Sequence, residues 1–538
     1  MSWLVTSVVL APVVAAGLGR VHRGERWMVG AGWVGAAASW LGTVGLAADV
    51  VGESQTAAPG GLAGLLVADR AGIAVLLLVF AVSAVVQGFA GRYLGGDHRL
   101  GWFCGWSGVL TSATAAMVTG STLLVLAVGW TVAGVAVVAL LGMYRERADA
   151  RLGVWRTAVA FAVGDAALWA AVVLAGVSWG GVQLRTSASS GLPAPVSGQG
   201  MVVPAVALLV LVAVAARCTL VPFVKWLPAT LAAPTPVSAL LHAGVVNAGA
   251  VLLWRTSLLI GGSSVAVYAV FTVGAATIVY GTALAGVKVD VKGALVASTT
   301  AQMGFMIMTC GLGLYALALF HMIGHGLYKA TLFLGSGSAV QRQRRHQLAP
   351  PAPTATRRRA SVTLAIAVMV PTLSLAAGWG WLRSGHGVRT EPAASTAGLG
   401  LLVFAWATTS RLYWGWSRHA RSWTALAFGA LGAAVVAPLY VVTVFNFTQF
   451  VSAEQPPGTP VAGASPWGIT AVVVALLGVA VLRGQGGPAW LGRARARAYV
   501  AALSAADVTT PQLARRRIAP IHPPHFVAAS HPSAEVAR

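Results

Sequence analysis

Long apolar runs recur along almost the whole chain, and short polar stretches separate them. A helix that crosses the hydrocarbon core of a bilayer needs about 20 mostly apolar residues. This pattern predicts an all-α polytopic membrane protein with about 14–15 transmembrane helices. The candidate segments are 3–19, 27–48, 71–91, 102–119, 121–143, 155–178, 201–227, 234–260, 264–287, 293–309, 311–337, 360–382, 397–413, 424–447 and 467–483.

The composition excludes a soluble globular protein. Hydrophobic residues make up 57% of the 538 residues, charged residues make up only 9%, and the mean hydropathy is +0.77. A soluble domain carries about a quarter charged residues. The three cysteines, Cys104, Cys218 and Cys310, stand apart without a CxxC motif. This dispersal excludes a disulfide framework and a cysteine-ligated iron–sulfur cluster within the chain.

The net charge of +23 reflects membrane topology rather than nucleic-acid binding, because the basic residues lie in short clusters between apolar runs. The positive-inside rule predicts a multi-pass protein of the bacterial plasma membrane with its N-terminus outside and its C-terminus in the cytoplasm. The outer loops then hold only scattered charges such as Arg70, Arg185, Arg383 and Arg389. The inner clusters are Arg20, Arg23 and Arg26; Arg92 and Arg99; Arg145, Arg147 and Arg151; Lys288 and Lys292; Arg342, Arg344, Arg345 and Arg357 to Arg359; and Arg418 and Arg421.

The tail from about residue 484 has little apolar periodicity. Within it, the stretch PAWLGRARARAYVAALSAADV predicts a short helix that lies on the inner membrane surface with its arginines toward the lipid headgroups. We expect the last 20 residues to be disordered.

Asp165, in FAVGDAALWA, is the acidic residue that sits well inside an apolar segment. Ionisable side chains inside a membrane are costly and usually functional. We therefore expect Asp165 to take part in conduction or in an ion pair, with Arg217 as its partner. The alternative is an aspartate that only hydrogen-bonds to a neighbouring helix.

The segment 311–337 carries the densest polar pattern, because His321, His325 and Lys329 are spaced by four and form one stripe along a helix. Histidine titrates near neutrality and a desolvated lysine can lose its proton, so the stripe is typical of a proton path. Two other interpretations remain open. One is a zinc site, which lacks a third ligand nearby in sequence, and the other is a set of packed polar residues.

A second constellation lies between residues 213 and 247. Pro222 in an apolar helix removes a backbone donor and predicts a broken helix. Arg217 lies just before this break, and His242 and Asn247 lie in the next segment. Arginine does not deprotonate at working pH, so we expect Arg217 to be a fixed charge. The alternative is a structural kink with a snorkelling arginine.

The stretch PFVKWLPATLAAPTPVSALLHAGVVNAGAVLLWR resembles the signature of the antiporter-like membrane subunits, which include the large proton-pumping subunits of respiratory complex I. Further matches are VADRAGIAVLL, GRYLGGDHRLGWF, VGD, VKVDVKGALVASTTAQMGFM and FHMIGHGLYKATLFLGSGS. The resemblance covers about residues 65–340. Within this superfamily, HAGVVNAG, MTCGLG and ARAYVAALSAADV are most similar to the DabB-type subunits of two-component inorganic-carbon transporters.

The resemblance implies roles for single residues. Arg217 stands at the position of the lysine in the family's broken helix, and His242 stands at the position of the histidine that follows it. The stripe of His321, His325 and Lys329 matches the family's histidine-histidine-lysine stripe. These residues and Asp165 are the expected proton or ion pathway.

The chain also departs from the family pattern. Complex I subunits carry a glutamate in a GWE motif that pairs with the broken-helix lysine, whereas this chain reads GWT and has Thr131 there. Thr131, Asn247, Asp290 and Lys292 are secondary candidates for the pathway. No lysine marks a second broken helix. The pattern therefore fits a partial channel that feeds a partner more closely than it fits a complete pump.

The resemblance also implies an organisation of the chain. It places an antiporter-like core with inverted repeats and broken helices at 65–340. Transmembrane helices at 1–64 and 341–483 flank this core, and the cytoplasmic tail occupies 484–538.

The implied function is that of the membrane subunit of an inorganic-carbon accumulation complex. It would conduct protons or sodium and energise a soluble DabA-like partner, a zinc protein similar to carbonic anhydrase, on the cytoplasmic face. The alternatives are a pumping subunit of complex I or of a cation/proton antiporter, and a non-conducting membrane anchor. The sequence offers no dinucleotide motif, metal-ligand motif or nucleophile constellation. We therefore expect no enzyme activity and no cofactor in this chain, and we expect zinc in the partner.

Overall fold

The computed structural model describes residues 2–21, 24–52, 60–61, 64–184, 200–288, 290–338, 357–383, 396–417, 420, 422–452, 466–483 and 489–506. Its helices are α1 (Ser2–Val21), α2 (Glu25–Gly52), α3 (Arg70–Tyr93), α4 (Leu100–Thr119), α5 (Leu123–Leu141), α6 (Ala148–Trp179), α7 (Val202–Arg217), α8 (Thr235–Ala243), α9 (Ala248–Arg255), α10 (Ser257–Gly261), α11 (Ser264–Ala285), α12 (Val291–Gly311), α13 (Tyr315–Leu334), α14 (Arg357–Arg383), α15 (Thr396–Ser417), α16 (Trp423–Ser452), α17 (Pro466–Arg483) and α18 (Ala489–Ala506). Short 3₁₀ segments cover Gly142–Tyr144, Leu227–Ala232, Val245–Asn247 and Gly335–Ser338.

The predicted all-α membrane fold is confirmed. Each of the fifteen predicted segments overlaps a helix, and the described residues contain nine helices that are long and apolar enough to cross a membrane. Three shorter apolar helices cover Val202–Arg217, Val362–Gly378 and Gly468–Leu482. The β structure of the described residues includes one hairpin of two short strands, β1 (Gly60–Gly61) and β2 (Leu66–Val67).

The predicted tail helix is present as α18. The disorder expected for the last 20 residues lies outside the described residues. So do the predicted inner-loop arginines Arg23, Arg342, Arg344, Arg345, Arg418 and Arg421 and the outer arginines Arg185 and Arg389.

The tightest helix pair is α11 and α12, which approach through glycines. A Cβ atom on Gly304 of α12 would lie 2.6 Å from the backbone nitrogen of Ile278 on α11, and a Cβ on Gly274 of α11 would meet the Met308 backbone. In lipid, helices associate through packing rather than the hydrophobic effect, so small residues favour close contact. Helix α12 also contacts α13, which carries the histidine-lysine stripe. The α11–α12 contact therefore helps to position this stripe.

Polar side chains join the loops at one end of the helices. The Tyr144 hydroxyl donates to Asp97 Oδ2 at 2.6 Å, and Arg99 pairs with Glu146. The hydrogen bond from Tyr144 is the main reason why the pKa of Asp97 lies below its usual value, and burial opposes it. These contacts tie the loop between α3 and α4 to the loop between α5 and α6.

Aromatic contacts attach the later helices to the core. Phe320 of α13 packs edge-on against Tyr440 and Phe447 of α16, with ring centroids 5.8 Å and 5.5 Å apart. The Arg70 guanidinium at the start of α3 lies 5.5 Å from the Phe450 ring centroid. Helix α16 therefore covers the outer face of α13.

We predict that Gly304→Val lowers the stability of the purified protein, because the new side chain forces α11 and α12 apart. Overpacking of this kind costs about 1–3 kcal/mol, measured as a lower midpoint of thermal unfolding in detergent. Gly176→Val is the matched control, since a Cβ at Gly176 of α6 meets nothing within 4 Å. Equal stability of the two variants would contradict the close contact.

Candidate functional site

Arg217 is the last residue of α7, and its guanidinium is buried between helices. The side chain is 2% exposed, Nη2 donates to Asp165 Oδ1 of α6 at 3.0 Å, and Nη1 donates to the Trp130 carbonyl of α5 at 3.2 Å. Asp165 is 17% exposed. The structure thus brings together the two intramembrane charges that the sequence predicts as partners.

Aromatic rings and a glycine shape the guanidinium site. The guanidinium carbon lies 4.6 Å from the Trp130 ring centroid and 4.1 Å from that of Phe161, within cation–π range. A Cβ atom on Gly134 would lie 2.7 Å from Nη2 of Arg217, so a larger residue there would force the guanidinium to shift. The arginine is held on several sides and has little freedom to move.

Thr131 does not replace the glutamate that the family pattern has at this position. Its hydroxyl accepts a hydrogen bond at 3.1 Å from the indole nitrogen of Trp169, which lies one turn after Asp165 on α6. The acidic partner of Arg217 therefore comes from α6, and Thr131 instead links α5 to α6.

Pro222 lies in the interruption between α7 and α8, where the sequence predicts a helix break. Helix α7 ends at Arg217, and Pro222 lies exposed in the non-helical segment that follows. A proline disfavours helical geometry in the residue before it, so Val221 cannot extend the helix. The Val221 amide instead donates to the Thr277 hydroxyl at 3.0 Å, and Thr219 adopts a positive φ of 53°. The chain thus leaves the helix directly after the buried arginine.

The next predicted segment is also broken. Helix α8 ends at Ala243, a 3₁₀ turn follows, and α9 begins at Ala248. His242 is 1% exposed and stacks on Phe333 of α13 with ring centroids 4.2 Å apart. Asn247 donates to the Ala243 carbonyl at 2.7 Å. Neither His242 Nδ1 nor Asn247 Oδ1 has a hydrogen-bond partner among the described residues.

The stripe on α13 is buried in the same region. Lys329 is 1% exposed, and its ammonium donates to the Leu295 carbonyl at 3.0 Å and to the Ser298 hydroxyl at 2.7 Å, both on α12. His325 is 4% exposed, and its ring centroid lies 6.1 Å from that of His321. Both ring nitrogens of His325, and Nε2 of His321, are buried without a hydrogen-bond partner in the described part of the chain.

A small cavity lies beside Arg217 and Asn247. Its volume is about 60 Å³, and its lining includes Arg217, Asn247, Ser83, Thr111 and Met322 of α13. One water needs about 10–15 Å³ measured in this way, so the cavity has room for a few waters. Water there would have polar partners on α3, α4, α7 and the turn before α9.

Asp290 and Lys292 lie at the start of α12. Asp290 caps this helix, because its carboxylate accepts from the Gly293 amide at 2.6 Å, and the residue is exposed. Lys292 is half-buried and lies less than one turn before Leu295, the backbone contact of Lys329. Capping of α12 is therefore a structural role for Asp290.

A second buried ion pair was missed by sequence reasoning. Arg255, at the end of α9, donates to both carboxylate oxygens of Asp69 at 2.6 Å and 3.2 Å and also to the Val118 carbonyl. Asp69 also caps α3 by accepting from the Gly72 amide at 2.7 Å. The signal in the sequence was an aspartate directly before an apolar run and an arginine that interrupts another run.

Among the residues that the structure describes, no group of three or more His, Cys, Asp and Glu side chains is placed to hold a metal ion. The polar side chains that line the cavity, such as Ser83, Thr111 and Asn247, are suited to hydrogen bonding.

Residues 120–378 match the family described as the transmembrane domain of NADH:quinone oxidoreductase and Mrp antiporters. This stretch contains Asp165, Arg217, His242 and the stripe on α13.

Curated relatives fall in two groups. The probable inorganic carbon transporter subunit DabB1 of Halothiobacillus neapolitanus is 33% identical over 297 residues, which are 53% of this chain and 52% of the relative. The probable DabB of Bacillus subtilis is 47% identical over 135 residues, 25% of this chain and 26% of the relative. NADH-quinone oxidoreductase subunit L of Mycobacterium tuberculosis is 32% identical over 282 residues, 52% of this chain and 44% of the relative. The chain spans about half the length of the first of these relatives and less of the others.

Two solved structures share the fold. A chain of the Mrp complex from Dietzia sp. DQ12-45-1b aligns with a TM-score of 0.61 at 22% identity, covering 95% of this chain and 61% of that chain. A chain of the archaeal membrane-bound sulfane sulfur reductase aligns with a TM-score of 0.55 at 15% identity, covering 94% and 98%. Residues 120–378 thus match the antiporter-like superfamily of membrane subunits, and the resemblance of the chain to DabB-type subunits is confirmed.

Proposed function

We propose that this chain is the membrane subunit of an inorganic-carbon accumulation complex in the bacterial plasma membrane. It would conduct protons, or another cation such as sodium, and so energise a soluble partner. The similarity to DabB-type subunits supports the carbon-related role. The buried ionisable side chains of the site support the conducting role, because such side chains are costly inside a membrane and are usually functional.

The observation that carries the proposal is the environment of Lys329. Its ammonium is bonded to neutral oxygen acceptors, the Leu295 carbonyl and the Ser298 hydroxyl. A lysine held in this way can release its proton without leaving a buried carboxylate unpaired. His325 lies one turn away on the same face and offers ring nitrogens that take up and release protons. The stripe is thus a set of exchangeable sites.

Arg217 contributes a fixed charge instead. Guanidinium does not deprotonate in proteins, and Asp165 balances its charge. Arg217 and Asn247 line the same cavity. Water there would link the ion pair to α8, which carries His242, and to α13. A proton that enters the cavity meets the fixed positive charge of Arg217, and Met322 in the cavity wall lies on the same helix as the stripe.

The soluble partner would carry out the hydration of carbon dioxide. Hydration of carbon dioxide by water gives bicarbonate and one proton, and zinc in the partner would activate the attacking water. Hydration alone runs only to its equilibrium, so accumulation needs an energy source. A proton gradient is the source that a buried titratable stripe can use. We place the partner, a DabA-like zinc protein, on the cytoplasmic face, and the C-terminus on the same side.

A second candidate is a pumping subunit of complex I or of a cation/proton antiporter. The similarity to NADH-quinone oxidoreductase subunit L favours it, and Thr131 in place of the family's glutamate counts against it. Purification of the intact complex separates the two: a zinc-containing soluble protein supports the first function, and quinone-reducing subunits support the second.

We predict that the defects of Asp165→Asn and Arg217→Gln are not additive. Removal of one partner of a buried ion pair leaves an uncompensated charge and costs about 3–5 kcal/mol when both partners are fully buried, and less here because Asp165 is partly exposed. The double variant removes both charges and should unfold at a higher temperature than the sum of the single losses implies. A coupling energy of about 0.5–3 kcal/mol is expected in a double-mutant cycle. Strictly additive losses would mean that the pair does not interact.

We also predict that Lys329→Ala abolishes carbon-dependent growth and uptake, while the protein level in the membrane stays normal. The reason is that the alanine removes an exchangeable site at the centre of the proposed path. Uptake of labelled inorganic carbon by cells that contain the partner measures this. Lys225→Ala is the control, because Lys225 is exposed in the segment after α7. Normal uptake with Lys329→Ala would instead favour a non-conducting anchor.

A further inference from the structure

Helix α12 carries a second polar side chain near the serine that holds Lys329. Ser298 accepts from the lysine, and Gln302 follows it by four residues on the same helix. The amide oxygen of Gln302 is buried and has no hydrogen-bond partner among the described residues. A buried amide oxygen left unpaired is costly, so its surroundings must supply a donor.

The helix register identifies the residue opposite Gln302. Helices α12 and α13 run antiparallel after a short connection, and two contacts fix their alignment: Lys329 against Ser298, and His321 against Phe305 with ring centroids 5.1 Å apart. A step of four residues is about 6 Å on each helix. One such step from the Lys329–Ser298 contact places Gln302 level with His325.

The face of α12 agrees with this register. Ser298, Gln302 and Phe305 stand at positions i, i+4 and i+7, which lie on one side of a helix. The first and the last of these residues contact α13 directly. Gln302 therefore belongs to the face of α12 that meets the stripe.

His325 also carries buried polar atoms that lack a hydrogen-bond partner. It is 4% exposed, and neither of its ring nitrogens has a partner among the described residues. A neutral imidazole has one N–H donor and one acceptor, and a glutamine amide has both kinds of group. The hydrogen bond made at one ring nitrogen decides which nitrogen carries the proton.

We propose that Gln302 is a positioning residue for proton transfer, with its amide oxygen bound to a ring N–H of His325 through one bridging water, since neither group has a direct partner among the described residues. This bridge selects one tautomer and leaves the other ring nitrogen to receive a proton within the stripe. The role rests on the proposed proton path, but the tautomer itself is a property of the resting protein and can be measured without transport.

The test uses the full chain in lipid bilayers with ¹⁵N-labelled histidine. The signal of His325 is identified by its loss in His325→Asn, and its ring-nitrogen shifts report the tautomer. Gln302→Met keeps the length of the side chain but removes the hydrogen bond, and Gln302→Glu keeps an acceptor oxygen. Gln183→Met, at an exposed position outside the stripe, is the control.

We expect one tautomer in the wild type and in Gln302→Glu, and a mixture in Gln302→Met. Proton flux driven by a pH gradient should fall about tenfold in Gln302→Met, the rate equivalent of one lost hydrogen bond. It should stay near the wild-type rate in Gln302→Glu and Gln183→Met. An unchanged His325 spectrum in Gln302→Met would overturn the proposal, whether or not the flux falls. If Lys329→Ala conducts normally while the spectrum changes as expected, the proposed path fails and the Gln302–His325 contact stands.

Discussion

The rest of the site depends on the burial of one permanent charge. Arg217 cannot be neutralised by losing a proton, so the fold must compensate its charge at membrane depth. It does so with the Asp165 carboxylate, the Trp130 carbonyl and the faces of two aromatic rings. Gly134 leaves the space that the guanidinium fills. Three helices, α5, α6 and α7, are therefore held together at one point, and the chain leaves helical geometry just beyond it.

This arrangement separates two kinds of buried charge. The Asp165–Arg217 and Asp69–Arg255 pairs bring together a carboxylate and a guanidinium, and they fix helices in place. Lys329 is bonded to neutral oxygens, and the histidines of α13 retain unpartnered ring nitrogens within the described structure. The paired charges and the stripe thus lie on different helices, and the lining of the cavity includes Arg217, Asn247 and, from α13, Met322.

The features that follow from local periodicity could be predicted from the sequence. Apolar runs gave the helices, and a spacing of four placed His321, His325 and Lys329 on one face. The last residue of α7 could not be predicted from the proline, because Pro222 marks where a helix cannot continue, whereas α7 already ends at Arg217. The Asp69–Arg255 pair joins residues 186 positions apart, and only the tertiary fold reveals it. The hydrogen bond between Thr131 and Trp169 also joins residues far apart in the sequence, and only the tertiary fold reveals it.

The central claim is that the buried stripe carries protons across the membrane. The most direct test is proton entry into liposomes that contain only this purified chain, driven by a potassium diffusion potential and followed with an internal pH dye. We predict that wild-type liposomes acidify faster than protein-free liposomes and that His325→Asn abolishes the difference. Equal rates in wild-type and protein-free liposomes would contradict the account.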